Sequence, residues 1–157
     1  MTIAAVGKLK DLERDLVARY AERFDGAGRR LALGPLKIIE LPESRAGTSD
    51  ERKLDEARRL EQAIVGADYR VALEEGRDQL ASSEFARRLA SLRDGGVQHV
   101  AFLIGGPDGH ASGLVGRAQL RLALGTMTLP HGIARLVLVE QLYRAATILS
   151  GHPYHRA

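Results

Sequence analysis

A glycine-rich turn after a short apolar run is the part of the sequence with the clearest chemical meaning. Residues 100–104 are all apolar, which is typical of a buried strand. Residues 105–109, Gly-Gly-Pro-Asp-Gly, follow directly and form what we call the glycine turn. Because backbone with almost no side chain lets a flat ligand approach closely, the turn favours an apolar-faced cofactor such as an adenosine. The spacing matches neither a GxGxxG dinucleotide loop nor a Walker loop, and an ordinary strand-to-helix loop is the equal alternative.

The last residues of the chain carry a second group of reactive side chains. His152 and His155 lie three positions apart, but no thiol or carboxylate cluster accompanies them, so a metal site is not expected. We interpret Tyr154, His155 and Arg156 as polar contacts at the edge of a site, where histidine can exchange protons near neutral pH. Fraying is the ordinary behaviour of a chain end, and the residues by themselves favour it over a site.

Other polar residues give weaker signals. Glu140 and Arg144 lie one helical turn apart and can form an ion pair, which is more often structural than catalytic when it is buried. His131 stands at the start of a predicted helix and is interpreted as a capping or packing residue. Ser112 and Thr128 belong to no Ser-His-Asp pattern, so hydrolase chemistry finds little support.

Length and composition indicate one domain and a reducing compartment. The chain has 157 residues, of which 45% are hydrophobic, so we expect a single domain spanning residues 1–157 with one substantial core. It contains no cysteine, which excludes disulfides and thiol chemistry. Neither a leader pattern nor a membrane-length apolar run is found, so we expect a cytoplasmic protein without a membrane partner.

The charged residues are distributed unevenly along the chain. Residues 1–94 hold 18 basic and 18 acidic side chains, whereas residues 95–157 hold five arginines against two carboxylates. The net charge of +3 therefore arises in the last 63 residues. Nineteen of the 23 basic residues are arginine, which binds phosphate as a planar fork. A polyanionic partner at the C-terminal part is one explanation, and a compositional preference for arginine is the other.

Strands and helices are predicted to alternate. Strands are predicted at residues 2–6, 36–41, 69–73, 97–104 and 127–129. Helices are predicted at residues 11–24, at 50–65 after a Thr48–Glu51 capping box, from Ser82 or Ser83 to about residue 93, at 112–122 and at 133–149. This alternation indicates a mostly parallel sheet covered on both faces, with ligands bound beyond the carboxyl ends of its strands. The last helix is apolar around most of its circumference, so part of it is expected to form a subunit interface.

Five short motifs together resemble one known family. They are Ala-Val-Gly-Lys-Leu-Lys at residues 5–10, Ile-Gly-Gly-Pro-Asp-Gly at 104–109, Met-Thr-Leu-Pro-His at 127–131, Glu-Gln-Leu-Tyr-Arg-Ala at 140–145 and Pro-Tyr-His-Arg at 153–156. Over essentially its whole length the chain is similar to the bacterial family of ribosomal RNA large subunit methyltransferase H, in the SPOUT superfamily. The resemblance implies an α/β fold: a single SPOUT-type domain with a mostly parallel sheet flanked by helices and a C-terminal trefoil knot, working as a homodimer.

The resemblance also implies an activity and a set of site residues. Proteins of this family transfer a methyl group from S-adenosyl-L-methionine to N3 of a pseudouridine in helix 69 of 23S rRNA, on the assembled 70S ribosome and without a metal. The resemblance places Tyr154, His155 and Arg156 at the target base, and Arg144 is a further catalytic candidate. It places cofactor contacts on Leu73, Gly105, Leu124, Gly125, Thr126, Met127, Thr128 and Leu129.

Two departures from the family pattern concern the site. Residues 73–76 are one residue shorter than the loop usual after the third strand, so the backbone beyond Leu73 is expected to differ. Gly125 and Thr126 stand where many relatives carry a serine, so contacts there are expected to come from the backbone. Because Gly105 is interpreted as keeping side chains away from the cofactor, Gly105→Val is expected to abolish cofactor binding in a folded protein.

Two functions from other classes stay open at the level of the residues. A non-catalytic ribosome-binding or assembly protein would use the basic C-terminal surface alone, and would bind RNA in a salt-sensitive way without binding S-adenosylmethionine. A metal-dependent hydrolase would lose its activity to a chelator.

Overall fold

A five-stranded parallel sheet forms the centre of the chain in a computed structural model that describes residues 1–154. Its strands are β1 (Thr2–Val6), β2 (Lys37–Leu41), β3 (Tyr69–Asp78), β4 (Val100–Ile104) and β5 (Leu120–Leu122), in the order β2-β1-β4-β3-β5. The helices are α1 (Asp11–Gly28), α2 (Ser49–Ala63), α3 (Ser82–Asp94), α4 (Ser112–Val115) and α5 (His131–Leu149), and a short 3-10 helix covers Arg29–Leu31. All described strand pairs are parallel, so the predicted α/β class with a parallel sheet is confirmed.

The strand register brings the carboxyl ends of the central strands to one edge. Ala5 of β1 lies opposite Ile104 of β4, and Leu73 of β3 lies opposite Leu122 of β5. The glycine turn after β4 therefore emerges beside the segments that follow β3 and β5. This is the edge at which parallel α/β sheets bind ligands.

Both faces of the sheet are covered by helices, because alternate strand residues point to opposite sides. Ile3 and Phe102 lie in the core that the sheet shares with α1, α3 and α5. Ala4 and Leu103 lie in a second core shared with α2 and α4. All four side chains are completely inaccessible to solvent, and burying a residue of the size of Phe102 stabilises the fold by about 2 kcal/mol.

The long helix α5 packs between α1 and α3 on one face of the sheet. Leu138 and Leu142 are fully buried, whereas Leu136, Val137 and Ile148 are only half-buried in the single chain. An apolar side therefore stays partly uncovered, as expected for a helix that is apolar around most of its circumference.

The starts of α2 and α3 differ in how they are capped. The predicted capping box of α2 is confirmed, since the Glu51 amide donates to the Thr48 hydroxyl and Glu51 accepts from the Thr48 amide. The predicted serine cap of α3 is wrong, because Ala81 occupies the N-cap position. The Ser82 hydroxyl is instead engaged by α5, where Gln141 accepts its hydrogen bond.

Two predicted elements after the glycine turn are also wrong. Residues 112–122 do not form one helix, because α4 ends at Val115 and Leu120–Leu122 forms β5. Glycine at 113 and 116 disfavours a longer helix, and alternating Leu120 and Leu122 are buried beside β3. Residues 127–129 form no strand but an exposed loop, in which the Met127 side chain is 78% exposed.

Several predicted boundaries shift by a few residues. Helix α1 continues to Gly28, and β3 continues to Asp78 with an irregularity after Leu73. The carbonyl of Asp78 accepts from the Ala123 amide at 2.9 Å, so the extended part of β3 holds the chain just after β5. Within residues 1–154, no helix combines the length and apolarity that crossing a membrane requires.

Candidate functional site

A cavity of about 780 Å³ lies at the carboxyl edge of the sheet. Three segments line it: residues 73–75 after β3, residues 104–110 with the glycine turn, and residues 122–131 without Thr126, together with Ala134. The structure thus brings together, from distant parts of the chain, the predicted cofactor residues Leu73, Gly105, Leu124, Gly125, Met127, Thr128 and Leu129. Thr126 is exposed and does not line the cavity. That these residues hold a cofactor stays a prediction.

The glycine turn is closed by its own backbone and tied to α2. The Gly109 amide donates to the Gly106 carbonyl at 2.9 Å, and Gly109 has a φ of +80°, a conformation that favours glycine. Asp108 accepts from Nε and Nη2 of Arg52 at 2.6 and 3.0 Å. This two-pronged hydrogen bond lowers the pKa of the Asp108 carboxyl, so the turn is held in place by an ion pair.

Gly105 lies too close to the rest of the glycine turn for a side chain, and its role in keeping side chains away from a cofactor stays a prediction. A Cβ at this position would lie 3.0 Å from the carbonyl carbon of Gly109 and 3.2 Å from Nδ1 of His110. It would meet the turn itself, so a valine at 105 displaces the cavity wall. Gly105→Val is therefore expected to disturb the local fold as well as the space for a ligand.

A buried carboxylate supports the turn from beneath. Glu56 of α2 is 3% exposed, and its Oε1 accepts from the Ser44 amide at 2.9 Å. Among residues 1–154 its Oε2 has no hydrogen-bond partner, and it would lie 2.8 Å from a Cβ on Gly106. Only glycine at 106 lets the turn lie directly on this carboxylate.

His110 is a wall residue of the cavity that the sequence predictions do not include. Both of its ring nitrogens are buried, and neither has a hydrogen-bond partner in the described part of the chain. Burial lowers its pKa, and the backbones of Leu103 and Leu73 together with the charge of Glu74 offset this only in part. The imidazole is therefore neutral at physiological pH. Its position directly after the glycine turn is the one sequence signal that points to it.

A buried arginine fixes the start of α5, the helix whose His131 and Ala134 line the cavity. Arg135 is completely inaccessible and donates to Oε1 of Glu40 at 2.5 Å and to the carbonyl of Gly7 at 2.8 Å. Burial lowers the pKa of its guanidinium, while the nearby Glu40 charge opposes that shift. Gly7 also makes room for α5, because a Cβ there would lie 2.7 Å from Nε2 of His131. The start of α5 is thereby pinned to the ends of β1 and β2.

The loop between β5 and α5 is held at the cavity mouth. The Thr128 hydroxyl donates to Oε2 of Glu75 at 3.0 Å, which joins this loop to the segment after β3. Among the described lining residues the charged side chains are three carboxylates, those of Glu74, Glu75 and Asp108, and neither lysine nor arginine is found. Asp108 is paired with Arg52 and Glu74 with Arg77, so among residues 1–154 Glu75 is the lining carboxylate without an arginine partner. Glu75 therefore suits a ligand with positive charge, and the lack of a basic side chain among the described lining residues disfavours a phosphate.

The tail residue Tyr154 packs on α5. Its hydroxyl donates to Oε1 of Glu140 at 3.1 Å, and the same oxygen accepts from Nη2 and Nε of Arg144 at 2.6 and 3.0 Å. The Arg144 guanidinium lies 5.0 Å from the centroid of the Tyr154 ring. We call Glu140, Arg144 and Tyr154 the tail cluster. His155 and Arg156 lie outside the described residues.

The electrostatics of the tail cluster keep its groups in their ordinary protonation states. Burial raises the pKa of the Tyr154 phenol, and the neighbouring Tyr20 and Glu140 raise it further. The hydrogen bond to Glu140 raises the pKa of Arg144. At neutral pH Tyr154 is therefore a hydrogen-bond donor and Arg144 a fixed cation.

The tail cluster and the cavity lie on different parts of α5. The cavity is lined by His131 and Ala134 of α5, whereas Glu140 lies nine residues beyond His131. A helical rise of 1.5 Å per residue places Glu140 about 13 Å beyond His131 and about 9 Å beyond Ala134. Among residues 1–154, no member of the tail cluster lines the cavity. Within residues 1–154, no group of three or more acidic or histidine side chains is placed to hold a metal ion.

A cavity at the carboxyl edge of a helix-covered parallel sheet defines an α/β protein with a ligand site of the kind found in many enzymes of this class. Residues 1–155 match the family model described as predicted SPOUT methyltransferase. Proteins called ribosomal RNA large subunit methyltransferase H from Xanthobacter autotrophicus and Bradyrhizobium diazoefficiens are 48% and 49% identical, and each alignment covers 100% of this chain and 99% of the relative. The chain belongs to the SPOUT methyltransferases and, within them, to the family of ribosomal RNA large subunit methyltransferase H.

A solved structure supports the fold independently of sequence. A probable methylase family protein from Haemophilus influenzae Rd KW20 superimposes with a TM-score of 0.60 over 99% of this chain and 70% of that chain. The two sequences are only 10% identical, so this likeness concerns the fold alone.

Proposed function

We propose that the protein is an S-adenosyl-L-methionine-dependent ribosomal RNA methyltransferase. In this proposal it methylates N3 of a pseudouridine in helix 69 of 23S rRNA on the assembled 70S ribosome, as a cytoplasmic homodimer. The names of its close full-length relatives support the rRNA substrate. The C-terminal trefoil knot implied by the resemblance is part of the proposal. An experimental structure tests it by showing whether the C-terminal segment passes through a loop of the chain.

The observation that carries the proposal is the charge of the cavity lining. Its charged members among the described residues are carboxylates, and it contains a closely packed glycine turn. S-adenosylmethionine has no phosphate, and it carries positive charge on its sulfonium and its amino group. When bound, this cofactor supplies an electrophilic methyl group. Leu73, the glycine turn and residues 124–129 would hold its adenosyl part, and Glu74 and Glu75 would lie beside its positive groups.

The tail cluster supports the proposed loss of a proton from the substrate base. N3 of a uridine-like base must lose its proton when it accepts a methyl group, so the anion needs a base or a nearby positive charge. Tyr154 keeps its proton at neutral pH and so acts by donating or orienting, whereas Arg144 is a permanent cation that stabilises the anion. His155 and Arg156 remain candidates for the general base and for further charge stabilisation.

The separation of the two sets of residues supports the proposed homodimer. In one chain Glu140 lies about 9 Å along α5 beyond Ala134, which lines the cavity. A second copy docked on the half-buried apolar side of α5 would supply its tail to the cavity of the first. We therefore include both subunits in each proposed site.

Titration of the purified protein with S-adenosylmethionine tests the cavity. We expect binding of S-adenosylmethionine but none of ATP, and Glu75→Arg is expected to weaken binding about tenfold by placing a positive charge near the sulfonium. Glu43→Arg makes the same charge change at an exposed residue outside the lining, and is expected to bind normally. Normal binding by Glu75→Arg would contradict the electrostatic argument.

Absence of S-adenosylmethionine binding by the wild-type protein would favour the non-catalytic ribosome-binding alternative. Mass spectrometry of 23S rRNA from cells with and without the gene then tests the target. A methyl group that disappears from a pseudouridine of helix 69 is the expected result. Unchanged methylation of that nucleotide would refute the proposed substrate.

A further inference from the structure

Ser82 is the first residue of α3, yet its hydroxyl serves another helix. The N-cap position of α3 belongs to Ala81, whose amide donates to Oε2 of Glu84 at 2.9 Å. The Ser82 hydroxyl instead donates to Oε1 of Gln141 at 2.7 Å, across 59 positions of sequence. A hydroxyl directed away from its own helix start points to a role in tertiary structure.

Gln141 connects Ser82 to Glu140 through a second hydrogen bond. Its Nε2 donates to Oε2 of Glu140 at 2.7 Å. A carboxylate only accepts hydrogen bonds, so the amide nitrogen of Gln141 must face Glu140 and the amide oxygen must face Ser82. Ser82 can then act only as the donor. The direction of each hydrogen bond in the series is thus fixed by the charge at its end.

Glu140 connects the series to the tail. Its Oε1 accepts from Arg144 and from the Tyr154 hydroxyl, while its Oε2 is held by Gln141. The Glu140 side chain is 17% exposed, so water competes little for either oxygen. We call Ser82, Gln141 and Glu140 the relay.

The relay also borders the loop that follows β5. Ser82 and Gln141 line a second cavity of about 220 Å³, and residues 122–125 form part of the walls of both cavities. The relay therefore lies behind the segment proposed to hold the cofactor. It is placed where the start of α3, this segment and the tail meet.

We propose that Ser82 is a positioning residue, which acts through Gln141 and Glu140 to orient Arg144 and Tyr154 toward the substrate base. This inference rests on the proposed function, because it assumes that the tail cluster meets the base. The physical reason is that Glu140 has three rotatable side-chain bonds. When Gln141 holds Oε2 of Glu140, the position of Oε1 is fixed as well. Arg144 and Tyr154 both donate to Oε1, so their side chains are held in fixed orientations. Without the Ser82 hydroxyl the side-chain amide of Gln141 can rotate, and the Glu140 carboxylate then loses its fixed orientation.

Two measurements test the relay, and one of them does not depend on activity. The NMR resonance of the Tyr154 phenol carbon, in protein with isotope-labelled tyrosine, reports the hydrogen bond of its hydroxyl. We expect Ser82→Ala to shift this resonance and Ser82→Thr to leave it in place, because threonine retains the hydroxyl. Ser83→Ala is the matched control, since Ser83 is the exposed neighbour at the same helix start.

The single-turnover rate of rRNA methylation is the second measurement. Ser82→Ala is expected to lower this rate about fivefold, the effect of one weakened hydrogen bond, with S-adenosylmethionine affinity unchanged. In the Gln141→Leu background, Ser82→Ala is expected to have no further effect, because the relay is already broken.

Ser82→Ala and Ser83→Ala with the same Tyr154 resonance and the same rate would overturn the relay. A further loss of methylation rate when Ser82→Ala is added to Gln141→Leu would overturn it as well. Failure of the proposed function gives a different pattern. In that case the wild-type protein would not methylate rRNA, or Tyr154→Phe would retain full methylation, while the resonance of Tyr154 in the chain that keeps this tyrosine would still respond to Ser82→Ala.

Discussion

His110 carries a neutral imidazole in the cavity wall, and its ring nitrogens have no hydrogen-bond partner among residues 1–154. Burial of this neutral ring makes the folded chain less stable in acid. Its pKa in the folded chain is lowered by burial, whereas in the unfolded chain the imidazole has its ordinary pKa of about 6.5. Below that pH the unfolded chain binds a proton that the folded chain does not. The free energy of unfolding must therefore fall as the pH drops below about 6.5, and His110 contributes no pH dependence above it.

The prediction is that replacing His110 removes part of this acid sensitivity. His110→Leu is expected to flatten the decline in the free energy of unfolding between pH 7 and pH 5, measured by urea denaturation. His110→Gln, a second replacement that cannot titrate, is expected to flatten the decline in the same way. Equal slopes for wild type and His110→Leu would show that His110 does not titrate differently in the two states.

The sequence predicted many site residues but not the groups that support them. The motif around Gly105 was sufficient to place it on the cavity, yet the reason for its glycine is the contact with Gly109 and His110. Glu56 supports the same turn from a helix 50 positions earlier, and nothing local in the sequence marks it. Contacts of this kind depend on tertiary packing, which spacing along the chain does not encode.

At the scale of elements, α5 depends on one buried charge at its start. Arg135 joins α5 to Glu40 at the end of β2 and to the Gly7 carbonyl after β1. The Leu9 amide also donates to Glu40, at 2.9 Å, so the three segments share one carboxylate. Removing one partner of a buried ion pair leaves the other groups without compensation.

We predict that Arg135→Met lowers the free energy of unfolding by about 3 kcal/mol, because it removes two charge-assisted hydrogen bonds of a fully buried guanidinium, one to the partly exposed Glu40 and one to the Gly7 carbonyl. Hydrogen exchange should accelerate first at residues 131–136, the part of α5 next to the cavity. Arg14→Met, at an exposed arginine of α1, is expected to change stability by less than about 0.5 kcal/mol. A similar small effect of Arg135→Met would mean that apolar packing alone holds α5.

The sequence predicted strongly periodic elements well and short ones poorly. Strand β1 and the capped start of α2 follow from local patterns, and both are confirmed. The segment 112–122 was wrongly predicted as one helix, because its leucines fit helical spacing as well as alternation. The buried edge of β3 decides between the two, since Leu120 and Leu122 pair with it. That choice depends on a partner strand about 50 residues earlier.

At the scale of the whole molecule, one chain holds two incomplete halves of the proposed site. The cavity receives His131 and Ala134 from α5, while Arg144 and Tyr154 lie further along the same helix. The half-buried apolar side of α5 offers a surface for a second copy. The expectation of a subunit interface on the last helix thus stays a prediction, now with a specific consequence for activity.

Subunit complementation tests this consequence. Gly105→Val, with the cavity wall displaced, and Arg144→Ala, with the tail cluster broken, should each be inactive as homodimers. A heterodimer of the two, co-expressed with different affinity tags and purified through both, combines one intact cavity with one intact tail from the opposite subunit. If the site is shared between subunits, this heterodimer should regain about half of the wild-type methylation rate, because one of its two sites is complete. If each chain used its own tail, both sites of the heterodimer would carry a defect, and the purified heterodimer would be as inactive as its parents.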